Sequence, residues 1–154
     1  MYPSQHFFLG LIFSFTLFLI FPEISVIGFI LVLASSVLVD FDHYAYYVYR
    51  KKDFNLKRAY IFGVKAAKKF LSLPKNKQRK FHTGFNFFHG IEIILILLVL
   101  GIFVHKYFLF ISTGITFHFF LDIIFEKKVG GKIKPLFVTQ AFFRTRKLKF
   151  IENI

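Results

Sequence analysis

The sequence predicts an all-α fold: an integral membrane four-helix bundle with a basic cytoplasmic loop that contains an amphipathic interfacial helix. Three observations support this prediction. Hydrophobic residues make up 56% of the 154 residues, the chain contains 26 Phe, and the mean hydropathy is +0.59. The 21 Lys and Arg against 8 Asp and Glu give a net charge of +13, and these charges are segregated from the apolar stretches. Four apolar stretches each approach the length of about 17 to 25 residues that a bilayer-spanning helix needs.

This composition excludes a soluble domain, and the absence of certain motifs excludes several classes of enzyme. The chain lacks the G-x-G-x-x-G and G-x-x-x-x-G-K patterns of soluble dehydrogenases and P-loop enzymes. It has no Cys, which excludes disulfide frameworks, thiolate zinc sites and cysteine nucleophiles. Any metal must therefore be held by nitrogen and oxygen ligands. We interpret residues 1–154 as a single membrane domain.

The first two spans are predicted at residues 2–21 and 24–43. The first stretch carries no formal charge and contains His6. A Pro-Glu pair at 22–23 then favours a tight turn, and the second stretch is free of charge until Asp40. A signal peptide is the rival interpretation of the first stretch. A basic n-region and a small-residue cleavage site are both missing, so we interpret it as a helix.

The third and fourth spans are predicted at residues 85–104 and 107–125. His105 and Lys106 form a short turn between them. Each of these spans contains a His and an acidic residue, and such residues are expensive within a bilayer.

The basic residues predict the orientation. Twelve lie between Arg50 and Lys80, eight follow the fourth span, and Lys106 is the one left over. With four spans, the basic loop at 50–82 and the basic tail at 127–154 share one side, which the positive-inside rule makes cytoplasmic. We therefore expect an integral protein of the cytoplasmic membrane with both termini in the cytoplasm.

The basic loop also predicts a partner and a helix. Membrane lipids, with their anionic headgroups, are the expected partners of the loop and tail. Nucleic acid is not expected, because no nucleic-acid-binding motif accompanies the charge. Basic and apolar residues of the loop fall mostly on opposite sides of a helical wheel, which predicts an amphipathic helix on the inner leaflet. The basic set is Lys57, Arg58, Lys65, Lys68 and Lys69, and the apolar set is Leu56, Tyr60, Val64, Ala67, Phe70 and Leu71. Pro74 should end this helix, and the tail from Pro135 is open between helix and strand.

Several ionisable residues within or beside the spans are candidates for a metal site. The presence of each one within an apolar stretch needs an explanation, because a charged side chain at a helix centre costs about 2.5 to 3.5 kcal/mol in a bilayer. The candidates are His6, Asp40, Asp42, His43, His82, His89, Glu92, His118 and Asp122. Residues three or four apart share one face of a helix, so such pairs can present two ligands together. The pairs with this spacing are Asp40 with His43, His89 with Glu92, and His118 with Asp122.

Depth is the second observation that favours a common site. Counted at about 1.5 Å per residue from the nearest cytoplasmic basic residue, Asp40, His89 and His118 each lie about 13 to 15 Å deep. His6 can reach the same level, whereas His105 lies at the opposite end. Alone, each His could be a helix-to-helix hydrogen-bond partner and each Asp a solvated cap. Taken together the set favours a metal site, because a cation compensates buried carboxylates and imidazoles best.

Three sequence blocks carry further information. They are Ser-Val-Leu-Val-Asp-Phe-Asp-His at 36–43, Phe-His-Thr-Gly with a second His seven residues on at 81–89, and Phe-His-Phe-Phe-Leu-Asp-Ile at 117–123. With His6 shortly before Gly10, these blocks resemble the membrane-bound metal-dependent hydrolase family, which includes the LexA-regulated inner-membrane hydrolases. The resemblance implies hydrolysis without fixing a substrate. It supports as ligand or catalytic candidates His6, Asp40, Asp42, His43, His82, His89, His118 and Asp122.

The expected function is a divalent-metal-dependent hydrolase near the cytoplasmic leaflet, acting on a lipid or phosphoester. Nitrogen and oxygen ligands suit one or two ions among Zn²⁺, Mn²⁺ and Fe²⁺, with Glu92 or Asp42 as general base. Two other classes stay open. One is a small oligomeric transporter for metal ions or protons, and the other is a non-catalytic membrane assembly factor whose polar residues hydrogen-bond to one another.

Overall fold

Helices dominate the structure, which confirms the predicted all-α class. The computed structural model describes residues 3–78, 80–83, 87–128 and 137–151. Its helices are α1 (Pro3–Ile20), α2 (Val26–Leu38), α3 (Phe41–Lys51), α4 (Leu56–Ser72), α5 (Lys75–Gln78), α6 (Ile91–Phe103), α7 (Tyr107–Lys128) and α8 (Val138–Lys147). Two short strands, β1 (Phe81–His82) and β2 (Lys149–Phe150), pair in parallel. The tail, which the sequence leaves open, therefore contains both a helix and a strand.

The chain divides into two compact units. The first comprises Met1–Val39 and Phe88–Lys134, and the second comprises Asp40–Phe87 and Pro135–Ile154. In the first unit α7 packs against α1, α2 and α6, and α1 also packs against α2. The apolar contacts of this unit centre on the buried residues Val39, Ile94 and Ile115.

Turns separate the helices of the first unit where the sequence predicts them. Pro22 and Glu23 form the turn between α1 and α2. The side chain of Ser25 then accepts a hydrogen bond from the Gly28 backbone N–H and caps α2. His105, between α6 and α7, accepts at its Nδ1 atom from the backbone N–H of Tyr107. The predicted hairpin turns at both places are confirmed.

The predicted second span, 24–43, is not one continuous helix. α2 ends at Leu38, a turn follows at 39–40, and α3 begins at Phe41. Residues 26 to 51 taken together are nevertheless long and apolar enough to cross a membrane, as is α7. Among the described residues, Ser4–Ile20 and Ile91–Phe103 form shorter apolar helices.

The predicted third span, 85–104, is helical only from Ile91 onward. Gly90 precedes the helix with an extended backbone, φ −121° and ψ 147°. Residues 84–86 lie outside the described residues. The prediction that His89 and Glu92 share one helix face is therefore wrong, because His89 stands before the helix begins.

The first unit buries several polar side chains and exposes many large apolar ones. The buried polar side chains include Ser14, Ser36 and Ser112, each 1% exposed. By contrast, Ile12 and Phe103 are 64% and 80% exposed. Soluble proteins bury large apolar side chains and rarely bury charged ones. Only 28% of the residues in either long apolar window are buried, whereas a core helix of a soluble protein is mostly buried.

The second unit contains the predicted loop helix. That helix, α4, runs from Leu56 to Ser72 and ends before Pro74, as the sequence predicts. The side chain of Asn55 accepts a hydrogen bond from the Arg58 backbone N–H and caps it. α4 packs against α3, and the core of this unit is formed by Ala66, Phe150 and Ile151 with Tyr46, Phe62, Phe70, Leu73 and Phe81 around them.

Asp53 orders the turn between α3 and α4. Its carboxylate accepts hydrogen bonds from the Tyr47 hydroxyl, the Asn55 backbone N–H and the Arg58 guanidinium. The Tyr47 hydrogen bond, followed by that of Asn55, lowers the pKa of Asp53 below its usual value. The turn therefore keeps an ionised carboxylate at neutral pH.

Two glycines allow the helices of the first unit to approach closely. A Cβ atom on Gly10 of α1 would overlap the Ser36 hydroxyl of α2. A Cβ atom on Gly114 of α7 would overlap the Val32 carbonyl oxygen and the Ser35 hydroxyl. The Val32 oxygen belongs to a helix backbone and cannot rotate away. Small residues permit the close backbone contacts by which helices associate in membranes.

We expect Gly114→Ala to destabilise the protein by about 1 to 3 kcal/mol, the cost typical of overpacking a filled interior. Thermal unfolding in detergent, followed by circular dichroism, measures the change. Gly63→Ala is the matched control, because Gly63 lies within α4 and its Cβ would meet no heavy atom within 4 Å. The control should unfold at the same or a slightly higher temperature, since Ala favours a helix. Equal unfolding temperatures for the two variants would show that α2 and α7 are not in close contact.

Candidate metal centre

Four ionisable side chains meet inside the first unit: His6 of α1, His89 just before α6, and His118 and Asp122 of α7. The Nε2 atoms of His89 and His118 lie 3.1 Å apart. Asp122 contacts all of the imidazoles. Its Oδ1 lies 3.2 Å from Nε2 of His6, and its Oδ2 lies 3.6 Å from Nε2 of His89 and 3.7 Å from Nε2 of His118.

His6, His118 and Asp122 each offer a donor atom within 4.8 Å of the other two, close enough to share one cation, and His89 adjoins His118 and Asp122. A tetrahedral zinc ion holds its nitrogen and oxygen ligands at about 2.0 to 2.1 Å, which places the ligand atoms about 3.3 to 3.4 Å from each other. The contacts in the cluster range from 3.1 to 3.7 Å. The donor set, three imidazole nitrogens and one carboxylate, suits Zn²⁺, Mn²⁺ or Fe²⁺. The residues present therefore fit a divalent transition metal.

α7 supplies two of the donors from one helix face. His118 and Asp122 are four residues apart on an unbroken helix that runs from Tyr107 to Lys128. At 3.6 residues per turn, this spacing stacks the two side chains on the same side. The neighbour relation predicted from the sequence for this pair is confirmed by the 3.7 Å contact.

His118 is oriented by the backbone of α2. Its Nδ1 lies 2.8 Å from the carbonyl oxygen of Ser36. Because a carbonyl only accepts, Nδ1 carries the proton and Nε2 of the neutral imidazole presents its lone pair. Ser36 is in the last turn of α2, where helix carbonyls lack partners within the helix. Metal-binding histidines commonly donate their second nitrogen to a backbone carbonyl in this way.

His6 provides the second sign of a cation site. The side chain is 1% exposed, and its ring stacks on that of His118 with centroids 3.8 Å apart and planes tilted by 16°. Nε2 faces Oδ1 of Asp122 at 3.2 Å without the alignment of a hydrogen bond, and Nδ1 makes no hydrogen bond to any of the described residues. A buried polar group without a hydrogen bond costs about 1 to 3 kcal/mol. A cation bound at Nε2 would satisfy that nitrogen.

In its ionised form, Asp122 requires positive charge nearby. The residue is 7% exposed, as is His89, and both lie among apolar helices. An ionised carboxylate in an apolar interior is strongly unfavourable unless it is paired or coordinates a metal. Neutral imidazoles donate hydrogen bonds but carry no charge. A divalent cation between the carboxylate and the imidazoles would supply that charge.

Four of the other predicted site residues, Asp40, Asp42, His43 and His82, belong to the second unit. In the second unit, Nε2 of His43 lies 3.5 Å from Oδ1 of Asp40, which confirms the predicted pairing of these neighbours. Asp42 is buried in the first turn of α3. His82 lies in β1, and its ring centroid is 5.4 Å from that of Phe150. The participation of these four residues in the metal site stays a prediction.

Glu92 belongs to the first unit and stands in the first turn of α6, where it is half-buried. An acidic residue is favourable at that end of a helix. Its predicted role as general base is untested.

Sequence reasoning missed the part played by Ser36. The residue was identified as the start of a sequence block, but the group that contacts His118 is its backbone carbonyl, which every residue type carries. The turn at 39–40 is the local feature that could point to it, because it leaves the last carbonyls of α2 without helical donors.

Comparison of the chain with protein-family models, curated proteins and solved structures gives no match.

We expect the protein purified in detergent to contain stoichiometric divalent metal, and we expect His118→Ala and Asp122→Ala to lose it. Elemental analysis measures the metal content. Chelation should lower the unfolding temperature of the unsubstituted protein, because a ligand that binds only the folded state stabilises it. Chelation should not change the unfolding temperature of the variants.

His105→Ala is the matched control for the metal measurement. His105 is exposed in the turn between α6 and α7, and this variant should keep its metal. Metal content that stays unchanged in both His118→Ala and Asp122→Ala would refute the assignment of the cluster.

Proposed function

We propose that this chain is a membrane-embedded hydrolase that depends on a divalent metal and acts on a lipid or phosphoester near the cytoplasmic leaflet. The observation that carries the proposal is the buried cluster of three imidazoles and one carboxylate at metal-ligand separations. The resemblance of three sequence blocks to membrane-bound metal-dependent hydrolases supports the reaction class.

The proposed membrane location rests on the first unit, which exposes large apolar side chains and buries polar ones. In this proposal α1, α2, α6 and α7 form a four-helix membrane bundle. Large apolar side chains cover the outside of these helices, as on α6, where Ile102 and Phe103 are 70% and 80% exposed. The hydroxyls of Ser14, Ser35 and Thr113 instead donate to carbonyls of their own helices. Hydroxyl groups satisfied in this way are compatible with an apolar solvent.

The orientation follows from charge. Twenty of the 21 basic residues belong to the loop and the tail, and Lys106 lies in the turn between α6 and α7. The positive-inside rule then places the loop, the tail and both ends of this chain in the cytoplasm.

In the proposed centre, His6, His89, His118 and Asp122 hold the ion. When bound, such an ion polarises a scissile carbonyl or phosphoryl group and lowers the pKa of water to near neutrality. The Ser36 carbonyl keeps the lone pair of His118 Nε2 directed at the centre. Glu92, three residues beyond His89, is the proposed proton acceptor, and Asp42 is the other carboxylate predicted for that role.

Coordination number restricts the metal. Four protein ligands complete a tetrahedral site, and catalytic zinc sites keep one position open. Hydrolysis at this cluster would therefore require that one of the four side chains leaves a position open or that the ion accepts more than four ligands. Mn²⁺ and Fe²⁺ adopt such geometries readily, and zinc expands to five ligands in some transition states.

One observation favours a second candidate function. All four ligands are buried, with His6 and His118 only 1% exposed. A closed site of four protein ligands is typical of a structural metal, which stabilises the fold without catalysing a reaction. The second candidate is therefore a non-catalytic membrane assembly factor whose metal holds α1, α7 and the segment before α6 together.

The orientation is testable because the chain has no Cys. A single Cys introduced at Lys106 should react with a membrane-impermeant maleimide in intact cells. A single Cys introduced at Ser72, the last residue of α4, should react only after the membrane is permeabilised. Labelling of both sites in intact cells, or the opposite pattern, would contradict the proposed topology.

Hydrolysis should appear as metal-dependent release of phosphate or fatty acid from a bacterial phospholipid extract. We expect chelation and His118→Ala to abolish it. Glu92→Gln should lower the rate by about 10² to 10⁴-fold, the usual contribution of a general base, and should leave the metal content unchanged.

Glu23→Gln is the matched control for Glu92→Gln, because Glu23 is exposed in the turn between α1 and α2. It should retain full activity. Stoichiometric metal without hydrolysis, combined with an unfolding temperature that chelation lowers, would reject the hydrolase in favour of the structural-metal candidate.

A further inference from the structure

α4 of the second unit has three distinct faces. At 100° per residue, Ala59, Phe62, Ala66 and Phe70 fall within an arc of about 80°. This face contacts the core of the unit, where Ala66 packs with Phe150 and Ile151. The sequence places Phe70 on the lipid-facing side of the helix. The structure places it against the core instead.

A second apolar face of α4 is exposed at Leu56, Tyr60 and Leu71 and half-buried at Val64 and Ala67. Its residues fall within another arc of about 80° and are Leu56, Tyr60, Val64, Ala67 and Leu71. Leu56 is 67% exposed, Tyr60 54% and Leu71 44%. An apolar stripe of this kind on a surface helix marks an interaction site. It extends over the length of α4, from its first residue to the residue before its last.

The third face of α4 is basic and borders the exposed stripe. Lys57 and Lys68 stand next to the stripe on the helical wheel, and Arg58, Lys65 and Lys69 lie further round. All five side chains are exposed. α4 contains no acidic residue. Ile61, which is 41% exposed, also lies on this face. An apolar stripe with cations along one border is complementary to a surface that is apolar below and anionic above, which describes a bilayer of anionic phospholipid.

We propose that α4 docks its exposed stripe, residues 56, 60, 64, 67 and 71, onto an anionic phospholipid surface. The stripe enters the boundary between headgroups and acyl chains, and Lys57 and Lys68 contact lipid phosphates. Long Lys side chains suit this position, because their apolar stems lie along the stripe while the ammonium groups reach the headgroups. The core-facing residues of α4 keep their contacts within the unit.

This inference rests on the membrane location in the proposed function. Residues 52 to 55 are the whole connection between α3 and α4. If the apolar helices span the bilayer, so short a connection holds α4 within reach of its surface, and tethering raises the effective concentration of the helix there. The docked helix would present a row of cations to anionic lipids. Anionic phospholipid is then the class of lipid concentrated beside the protein.

The test uses tryptophan fluorescence, because the chain contains no Trp. Tyr60→Trp is made in the full-length protein, which is reconstituted into nanodiscs of phosphatidylcholine with or without phosphatidylglycerol. In discs with phosphatidylglycerol we expect emission shifted to shorter wavelength and quenched by brominated acyl chains. Lys65→Trp, about 140° away on the same helix, is the matched control and should be neither shifted nor quenched.

Charge dependence separates docking from nonspecific burial. Raising the salt from about 0.1 M to about 1 M shortens the screening length from about 10 Å to about 3 Å, so the quenching should weaken. Each Lys near an anionic surface strengthens association about fivefold. Lys57→Gln with Lys68→Gln should therefore shift the docking equilibrium about 30-fold toward the undocked state. Equal quenching with and without phosphatidylglycerol would overturn the selectivity for anionic lipid.

Two further variants keep the outcomes distinct. Leu71→Trp repeats the test from a second position of the stripe, in case Tyr60→Trp perturbs the fold. Ile102→Trp reports on α6, where Ile102 is 70% exposed. Quenching of Ile102→Trp without quenching of either α4 variant would overturn the docking and assign the stripe to a protein or nucleic-acid partner, with the membrane proposal intact. Absence of quenching at all three positions would overturn both proposals.

Discussion

The carboxylate of Asp122 lies in contact with three imidazoles inside a unit whose exterior is apolar. A buried anion in such surroundings needs a cation, whether a proton on one imidazole or a metal ion. A proton and a metal ion differ in the number of imidazoles that they can satisfy. One proton satisfies one imidazole, whereas a metal ion bonds to a nitrogen of each. The nitrogens of His6, which make no hydrogen bond to the described residues, favour the metal.

Close approach of the helices is the condition that brings these groups together. His6 reaches His118 only if α1 and α2 nearly touch beside them, and Gly10 against Ser36 provides that contact. Gly114 provides the equivalent contact between α7 and α2, about one helical turn before His118. The rings of Phe13 and Phe117 then stack with centroids 4.0 Å apart and extend the contact between α1 and α7. In a bilayer, where lipid is as apolar as the side chains, such close packing and a polar centre replace hydrophobic burial as the source of association.

Sequence could predict those parts of the site that depend on local geometry. His118 and Asp122 are four residues apart on a helix without interruption, so their contact follows from helical periodicity. His89 is different. It reaches the cluster from the segment before α6, and its position depends on where that helix begins. The extended backbone of Gly90 sets that start, and a hydropathy window as long as a helix does not resolve it.

Contacts between residues far apart in the sequence account for the other differences between the prediction and the structure. The helical wheel of α4 separates basic from apolar residues correctly but cannot divide the apolar residues between two faces. That division depends on Phe150, which follows α4 by some 80 residues and packs against Phe62 with ring centroids 5.9 Å apart. The Ser36 carbonyl is a similar case. In an uninterrupted helix, this oxygen would accept from the N–H of residue 40. The turn at 39–40 makes it available to His118, so the break in the long apolar segment and the orientation of the His118 imidazole have one structural cause.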